Sequence, residues 1–324
     1  MIFIQFLHSA FIVQYHTAFE TEAEIQIGDF KADIVDVNVM ADNHRVLRST
    51  ENHEFTLQSI QENPPSNLDR IDQRQGLDNQ YHYFELAGAK STVYVIDSGV
   101  LTNVEELEGR ATFAVDFTGT GYFDSTGHGT GIASIIAGRH SGVAKKSKIK
   151  SVKIIDGRNV GFYSNVLRAL QFCVNDMQGK PAVAILSLLG PYNQIVNDAI
   201  SAAVRQGLTV VVPAGNVGRD ACQYTPSSAY GTVTVGAVNY NDQQESYSNF
   251  GQCVNIWAPG EAVISGTSGG YEYMYGTSVA AAHVAGVIAL HQSEGIKDQL
   301  FSRATKGVLT LGQYSSPNLM VYSQ

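Results

Sequence analysis

Leu208-Thr-Val-Val-Val-Pro-Ala214, LTVVVPA, is an unbroken apolar run that stops at Gly215-Asn216. A strand covered on one face alternates apolar and polar residues, whereas one covered on both faces is apolar throughout. Outward along the chain the same signature recurs in TVYVID at 92–97, IKSVKII at 149–155, AVAILSL at 182–188 and TVTVGAV at 232–238. Between these runs lie helical patterns. Residues 130–137 are small and apolar, 164–177 carry apolar side chains at helical spacing, and 193–206 form a third candidate. The fourth, 278–292, is apolar nearly all round and is therefore central. Strand and helix in alternation predict an α/β fold: a mostly parallel central sheet with helices on both faces. Sites in such sheets gather beyond the carboxyl ends of the strands.

Composition sets the outer bounds. The chain has 324 residues, 44% hydrophobic and 16% charged, enough for a large core and far from a disordered chain. Lys and Arg number 21 against 30 Asp and Glu, a net charge of −9, and the only basic cluster is Lys145, Lys146, Lys148 and Lys150. That balance argues against a nucleic-acid partner. No apolar stretch reaches the length of a bilayer span, so no membrane partner is expected. The opening MIFIQFLHSA, residues 1–10, reads either as a short signal segment without basic leading residues or as a first buried strand. Residues 11–62 hold strand-like FIVQY, EIQI and DIVDVNV and a short helical ADNHRVLRST, a small α+β unit. The turn-rich ENPPSN at 62–67 then marks the boundary with the main domain, residues 63–324.

Three segments carry chemistry, each a polar residue wrapped in glycine and small residues. VYVIDSGV places Asp97 at a strand end, STGHGTG places His128 between two glycines, and GTSVAAAHVAG places Ser278 at a helix start. Singly, these read as a turn Asp, a loop His and an N-cap Ser. Jointly they supply what acyl transfer needs. A serine attacks carbonyl carbon poorly unless a base takes its proton, a neutral histidine suits that task, and a carboxylate fixes the imidazole tautomer. Asn216 adds an amide donor at a strand end, where a developing oxyanion can be met.

With these motifs in hand, VIDSGV, GHGTG, PAGN and GTSVA, the chain resembles the subtilisin-like serine peptidases, closest to the proteinase K branch. The resemblance runs from Leu68 onward. It implies that Asp97 orients His128, that His128 is base and then acid, that Ser278 is the nucleophile, and that Asn216 with the Ser278 N–H forms the oxyanion hole. It further implies a polypeptide substrate bound as a strand between Asn159, Val160 and Gly161 on one side and Ser187, Leu188, Leu189 and Gly190 on the other. Residues 11–62 resemble the family's inhibitory propeptide. The enzyme so implied is secreted and monomeric, with a disulfide between Cys222 and Cys253 and Cys173 left free and buried.

Departures from the family pattern carry their own expectations. Gly131 stands where a second, non-catalytic histidine is usual, and Val279 and Ala282 stand for Met and Pro on the nucleophile helix. Leu189 replaces a glycine of the binding edge and would narrow the pocket for the residue before the scissile bond if it points inward. Asn255 replaces the Asp of the proteinase K-type calcium site, whose carbonyls lie near Tyr230 and Thr232. A neutral amide is a weaker ligand for a hard cation, so no cofactor is expected. Two other functions compete. Residues 266–270, GTSGG, fit the GxSxG elbow of a lipase or esterase around Ser268, with Glu272 and His283 as partners, but no helical pattern follows directly. A binding protein that kept the fold and lost turnover is the second.

Overall fold

The computed structural model describes residues 10–15, 25–27, 30–36, 45–51, 58–265, 270–296, 298–312 and 316–324. The chain divides into two compact units, Met1–Thr56 and Leu57–Gln324. In the first, strands β1 (Ala10–Tyr15), β2 (Ile25–Ile27), β3 (Phe30–Asp36) and β4 (Val46–Glu51) make an antiparallel sheet in the order β2-β3-β1-β4. The helix expected over ADNHRVLRST is corrected here: residues 41–44 lie outside the described residues, and Val46–Glu51 is a strand pairing Phe11 with Glu51 and Ile12 with Thr50. Long-range pairing with β1 overrides a local pattern that only weakly favoured helix. Most of the suspected signal segment, residues 1–9, also lies outside the described residues.

The larger unit opens with β5 (Gln58–Glu62), α1 (Ser66–Ile71) and β6 (Gln80–Phe84), β5 and β6 forming an antiparallel pair. Then come β7 (Thr92–Asp97), β8 (Ala111–Asp116), α2 (His128–Ala137), β9 (Lys148–Lys153), α3 (Tyr163–Met177) and β10 (Ala182–Leu186). After the short β11 (Gly190–Pro191) follow α4 (Gln194–Arg205), β12 (Leu208–Pro213), β13 (Tyr224–Thr225), β14 (Val233–Val238) and β15 (Ile256–Pro259). The unit ends with β16 (Glu261–Ser265), β17 (Tyr271–Tyr275), α5 (Thr277–Ser293), α6 (Leu300–Arg303), β18 (Thr305–Lys306) and β19 (Leu319–Met320).

The central sheet runs β18-β19-β15-β14-β12-β10-β7-β9-β8 and is parallel except for the β18–β19 pair at its edge. Its two faces separate by strand alternation. Val93, Val95, Val183, Ile185 and Val211 pack with α2 and α5, while Tyr94, Ile96, Ala184, Leu186 and Val212 pack with α3 and α4. This is the two-sided burial that the apolar runs predicted. Helix α5 is buried at every position from Val279 to His291, as expected of the central helix. Asn193 caps α4, its side-chain oxygen accepting the Val196 N–H at 3.1 Å. Among the described residues no helix is long and apolar enough to cross a membrane.

Candidate functional site

Three neighbouring strands, β7, β10 and β12, deliver the segments of interest at their carboxyl ends. Asp97 closes β7, Ser187 to Gly190 follow β10, and Asn216 follows β12. Helices α2 and α5 lie on one face of this sheet in one core, and His128 and Ser278 sit in their first turns. Gly127 precedes the helix at φ 80°, a backbone state that favours glycine. Gly129 is required by proximity, since a Cβ there would sit 2.0 Å from the Gly99 carbonyl oxygen.

His128 Nδ1 lies 2.8 Å and 2.9 Å from the two carboxylate oxygens of Asp97. A carboxylate can only accept, so Nδ1 carries the proton and Nε2 presents a lone pair. Asp97 is 1% exposed in its side chain against 33% for His128, so the acid is sealed behind the base. Its Oδ1 also accepts the Ser98 N–H at 2.7 Å. The Asp97 charge raises the His128 pKa above its ordinary value, with burial working in the opposite direction.

Around this pair is a hydrogen-bonded frame that the sequence reading missed. The buried carboxylate of Asp124 accepts the Ser98 hydroxyl at 2.9 Å and the Gly127 N–H at 3.0 Å on one oxygen. On the other it accepts the Thr130 N–H at 2.9 Å and the Thr130 hydroxyl at 2.6 Å. The loop that carries His128 is thereby closed on itself. Lys153, 1% exposed, donates to the Ser98 carbonyl at 2.8 Å and the Phe123 carbonyl at 2.7 Å. An Asp four residues before the histidine was the available signal for Asp124. Nothing local distinguished Lys153.

Ser278 is partly buried in the first turn of α5. Asn216 is tied to the residue before it: its Oδ1 accepts the Thr277 N–H at 2.9 Å and the Thr277 hydroxyl at 2.7 Å. With the oxygen so engaged, the amide NH2 is the free end. It lies 3.1 Å from where a Cβ on Gly276 would stand, beside the helix start. Thr277 Oγ1 in turn accepts the Gly215 N–H at 3.1 Å.

The two expected binding edges line one cavity of about 500 Å³, with Asn159, Val160 and Gly161 on one wall and Leu188, Leu189 and Gly190 on the other. Asp156 shapes the first wall by accepting the Arg158 and Val160 N–H groups at 2.9 Å and 3.0 Å. The second is anchored where Gly190 pairs antiparallel with Thr225. Tyr163 spans the two, donating its hydroxyl to the Pro191 carbonyl at 2.6 Å, and any Cβ on Gly190 would lie 2.2 Å from that hydroxyl. Leu189 turns toward Gly215, its Cδ2 lying 2.7 Å from a Cβ position there. Among the described residues Ser187 Oγ, which is buried, finds no hydrogen-bond partner.

The remaining expectations resolve individually. Cys222 and Cys253 form a disulfide, and Cys173 is free and buried. Ile264 and Met274 occupy the space beside Gly131, a Cβ on which would meet them at 2.8 Å and 3.1 Å. At the positions of the family's calcium site, Asn255 Oδ1 accepts the Thr234 N–H at 2.7 Å and the Tyr230 carbonyl accepts the Ser201 hydroxyl at 2.9 Å. Among the described residues no group of three or more His, Cys, Asp or Glu side chains could hold a metal ion. Ser268 lies outside the described residues. The residues after it form strand β17, and His283 is fully buried, its Nδ1 donating to the Val279 carbonyl and its Nε2 accepting from Asn67. Neither feature suits a GxSxG hydrolase.

Residues 88–310 match the subtilase family. Subtilisin-like protease 2 of Pseudogymnoascus destructans is 39% identical over 226 residues, 68% of this chain and 56% of the relative. Subtilisin-like protease 1 of the same fungus is 38% identical over 267 residues, 79% of this chain and 66% of the relative. Subtilisin-like protease 7 of Arthroderma otae is 39% identical over 234 residues, 71% of this chain and 58% of the relative. A crystal structure of a cold-adapted subtilisin-like serine proteinase matches with a TM-score of 0.77 at 34% identity, covering 81% of this chain and 99% of that one. The chain belongs to the subtilase family. It spans 56% to 66% of the length of these curated relatives.

Proposed function

We propose that the chain is a serine endopeptidase that cleaves polypeptides through Asp97, His128 and Ser278. The observation that carries this reading is the imidazole of His128 held at Nδ1 by both oxygens of a buried Asp97. Its free Nε2 takes the proton of Ser278 as Oγ attacks the scissile carbonyl carbon. The oxyanion so formed is met by the Asn216 amide and the Ser278 N–H at the positive end of α5. Collapse breaks the C–N bond, the leaving amine takes the proton from His128, and an acyl-enzyme remains. Water then repeats the sequence with His128 as base, releasing the acid and restoring Ser278.

The substrate lies extended between Asn159 to Gly161 and Ser187 to Gly190. The inward turn of Leu189 supports a pocket that favours small side chains before the scissile bond. Residues 11–62, whose strands β1 to β4 belong to the Met1–Thr56 unit, serve as the chain's own inhibitory propeptide, and the enzyme acts as a secreted monomer. The Cys222–Cys253 disulfide supports an oxidising compartment.

The test is intact-mass analysis of wild type and Ser278→Ala before and after a fluorophosphonate probe. One adduct on wild type alone, with loss of an N-terminal fragment that the variant keeps, is the expected result. A folded wild type that takes no adduct would replace the enzyme with a binding protein on the same fold.

A further inference from the structure

Asn216 is exposed and sits in a loop, yet an oxyanion donor must be placed to a fraction of an ångström. Its own side chain is fixed by Thr277 on one side. The backbone that carries it is also held by Asn249, which is 0% exposed and bonds more of this segment than the single contacts from Thr277 to Gly215, Val235 to Ala214 and Tyr247 to Gly218.

Asn249 reaches four residues around Asn216. Its Nδ2 donates to the Ala214 carbonyl at 2.8 Å, and its backbone N–H donates to the Gly215 carbonyl at 2.8 Å. Its Oδ1 accepts the Val217 N–H at 3.2 Å and the Arg219 N–H at 3.0 Å. The carboxamide therefore uses both its donor and its acceptor end on the segment 214–219, and the loop closes around it. Gly215 records the same contact. At φ 110° it lies so close that a Cβ there would come within 2.4 Å of Asn249 Nδ2. Asn249 is itself held, since the Ser248 hydroxyl accepts the Ala237 N–H at 3.0 Å and donates to the Asn249 carbonyl at 3.0 Å. The pairing continues with Phe250 N–H to the Arg219 carbonyl and Ala221 N–H to the Phe250 carbonyl.

We propose that Asn249 is a positioning residue for catalysis, setting the backbone from which Asn216 presents its amide to the oxyanion. This rests on the peptidase reading above. A hydroxyl also donates and accepts, but from a single atom; a carboxamide sets its donor toward Ala214 and its acceptor toward Val217 and Arg219 on two separate atoms. Asparagine has the shorter reach that a fully buried position allows. Aspartate would turn an oxygen toward the Ala214 carbonyl oxygen, and serine would not span the loop.

The deciding measurement is a double-mutant cycle on peptide hydrolysis, with Asn249→Asp and Asn249→Ser each made in wild type and in Asn216→Ala. In wild type, kcat should fall about 10- to 100-fold with KM within about twofold, because the loss is confined to the transition state. In Asn216→Ala the same change should cost less than about twofold, since the donor it positions is gone. Equal losses in both backgrounds, or an unchanged kcat, would overturn the proposal. A second readout does not need turnover. In the Ser278→Ala protein, Asn249→Ser should raise amide hydrogen exchange at Val217 and Arg219 while α5 stays protected, and retained protection there would also overturn it. A wild type without peptidase activity or probe labelling would sink the peptidase reading, while the exchange result would still decide whether Asn249 holds the loop.

Discussion

The corner around His128 and the edge from Ser187 to Gly190 lie at the ends of adjacent strands, yet they are built in opposite ways. At the His128 corner buried polar groups are matched: Asp97 receives the imidazole, Asp124 receives hydroxyls and amides from Ser98, Thr126, Gly127 and Thr130, and Lys153 caps two carbonyls. At the edge, Ser187 Oγ is buried without a partner among the described residues, and the side chains of Leu188 and Leu189 are only half buried. Unmatched polar groups are costly, so folded proteins keep few of them. On the proposed function this contrast has a sense: a frame for proton transfer is saturated in advance, whereas an edge for an incoming strand keeps capacity in reserve.

Substitutions at the two places should therefore differ in kind. Asp97→Asn should lower kcat about 10,000-fold, the loss characteristic of this change in serine peptidases, because the imidazole loses its tautomer control. Its pH profile supplies the sign. His128 must be neutral to act as base, and its pKa is raised, so kcat/KM should fall as pH drops through a value above the ordinary 6.5. In Asp97→Asn the residual activity should lose that limb at lower pH; an unmoved limb would remove Asp97 as its cause.

Next in size is Thr277→Val, which frees the Asn216 carboxamide to rotate. It should cost about 10- to 100-fold in kcat with little change in KM, within the roughly 100- to 1000-fold lost when a subtilisin-type enzyme loses one oxyanion donor outright. An effect on KM alone would show that Thr277 shapes binding instead. On the edge, Leu189→Gly should leave hydrolysis after alanine nearly unchanged and raise kcat/KM after phenylalanine about 10-fold or more, the scale of side-chain discrimination in an apolar pocket. No gain on the large substrate would mean that Leu189 does not bound that pocket.

A separate effect concerns stability and leaves the comparison of the two places untouched. Burial lowers the pKa of His283 and of His291 to about 4. An unfolded chain would protonate both near 6.5, so stability is full above that pH and is lost as pH falls toward 4, by roughly 3 kcal/mol per histidine at most. Urea midpoints measured from pH 7 to pH 4 should show this, and His291→Gln should flatten the dependence.

The contrast also explains what could be read from sequence. The sheet was legible because Val93 to Ile96 and Val183 to Leu186 are buried on both sides, and burial of that kind leaves an unbroken apolar run. Helices α2 to α5 came within about two residues because their packing faces repeat locally, whereas the short α1 (Ser66–Ile71) and α6 (Leu300–Arg303) show too little of a repeat and were not read. Asp97, His128, Asn216 and Ser278 stood out because glycines and small residues crowd them. Lys153 and Asn249 did not, since each works on segments tens of residues away, and nothing near Asn249 shows that it faces Ala214. The strand at Val46–Glu51 was misread for the same reason: its partner is β1, far along the chain.

A last consequence concerns self-destruction. The bond between Cys222 and Cys253 joins positions 31 residues apart, and closing a loop of that length restricts the unfolded chain by about 3 to 4 kcal/mol. If the proposed peptidase accepts extended chain, it threatens its own opened copies, and that hazard scales with how often the fold opens. The crosslink makes global opening rarer by a few hundredfold, roughly, at RT near 0.6 kcal/mol. Its removal would thus appear first as a shorter working lifetime at high enzyme concentration, with the turnover of each intact molecule unchanged.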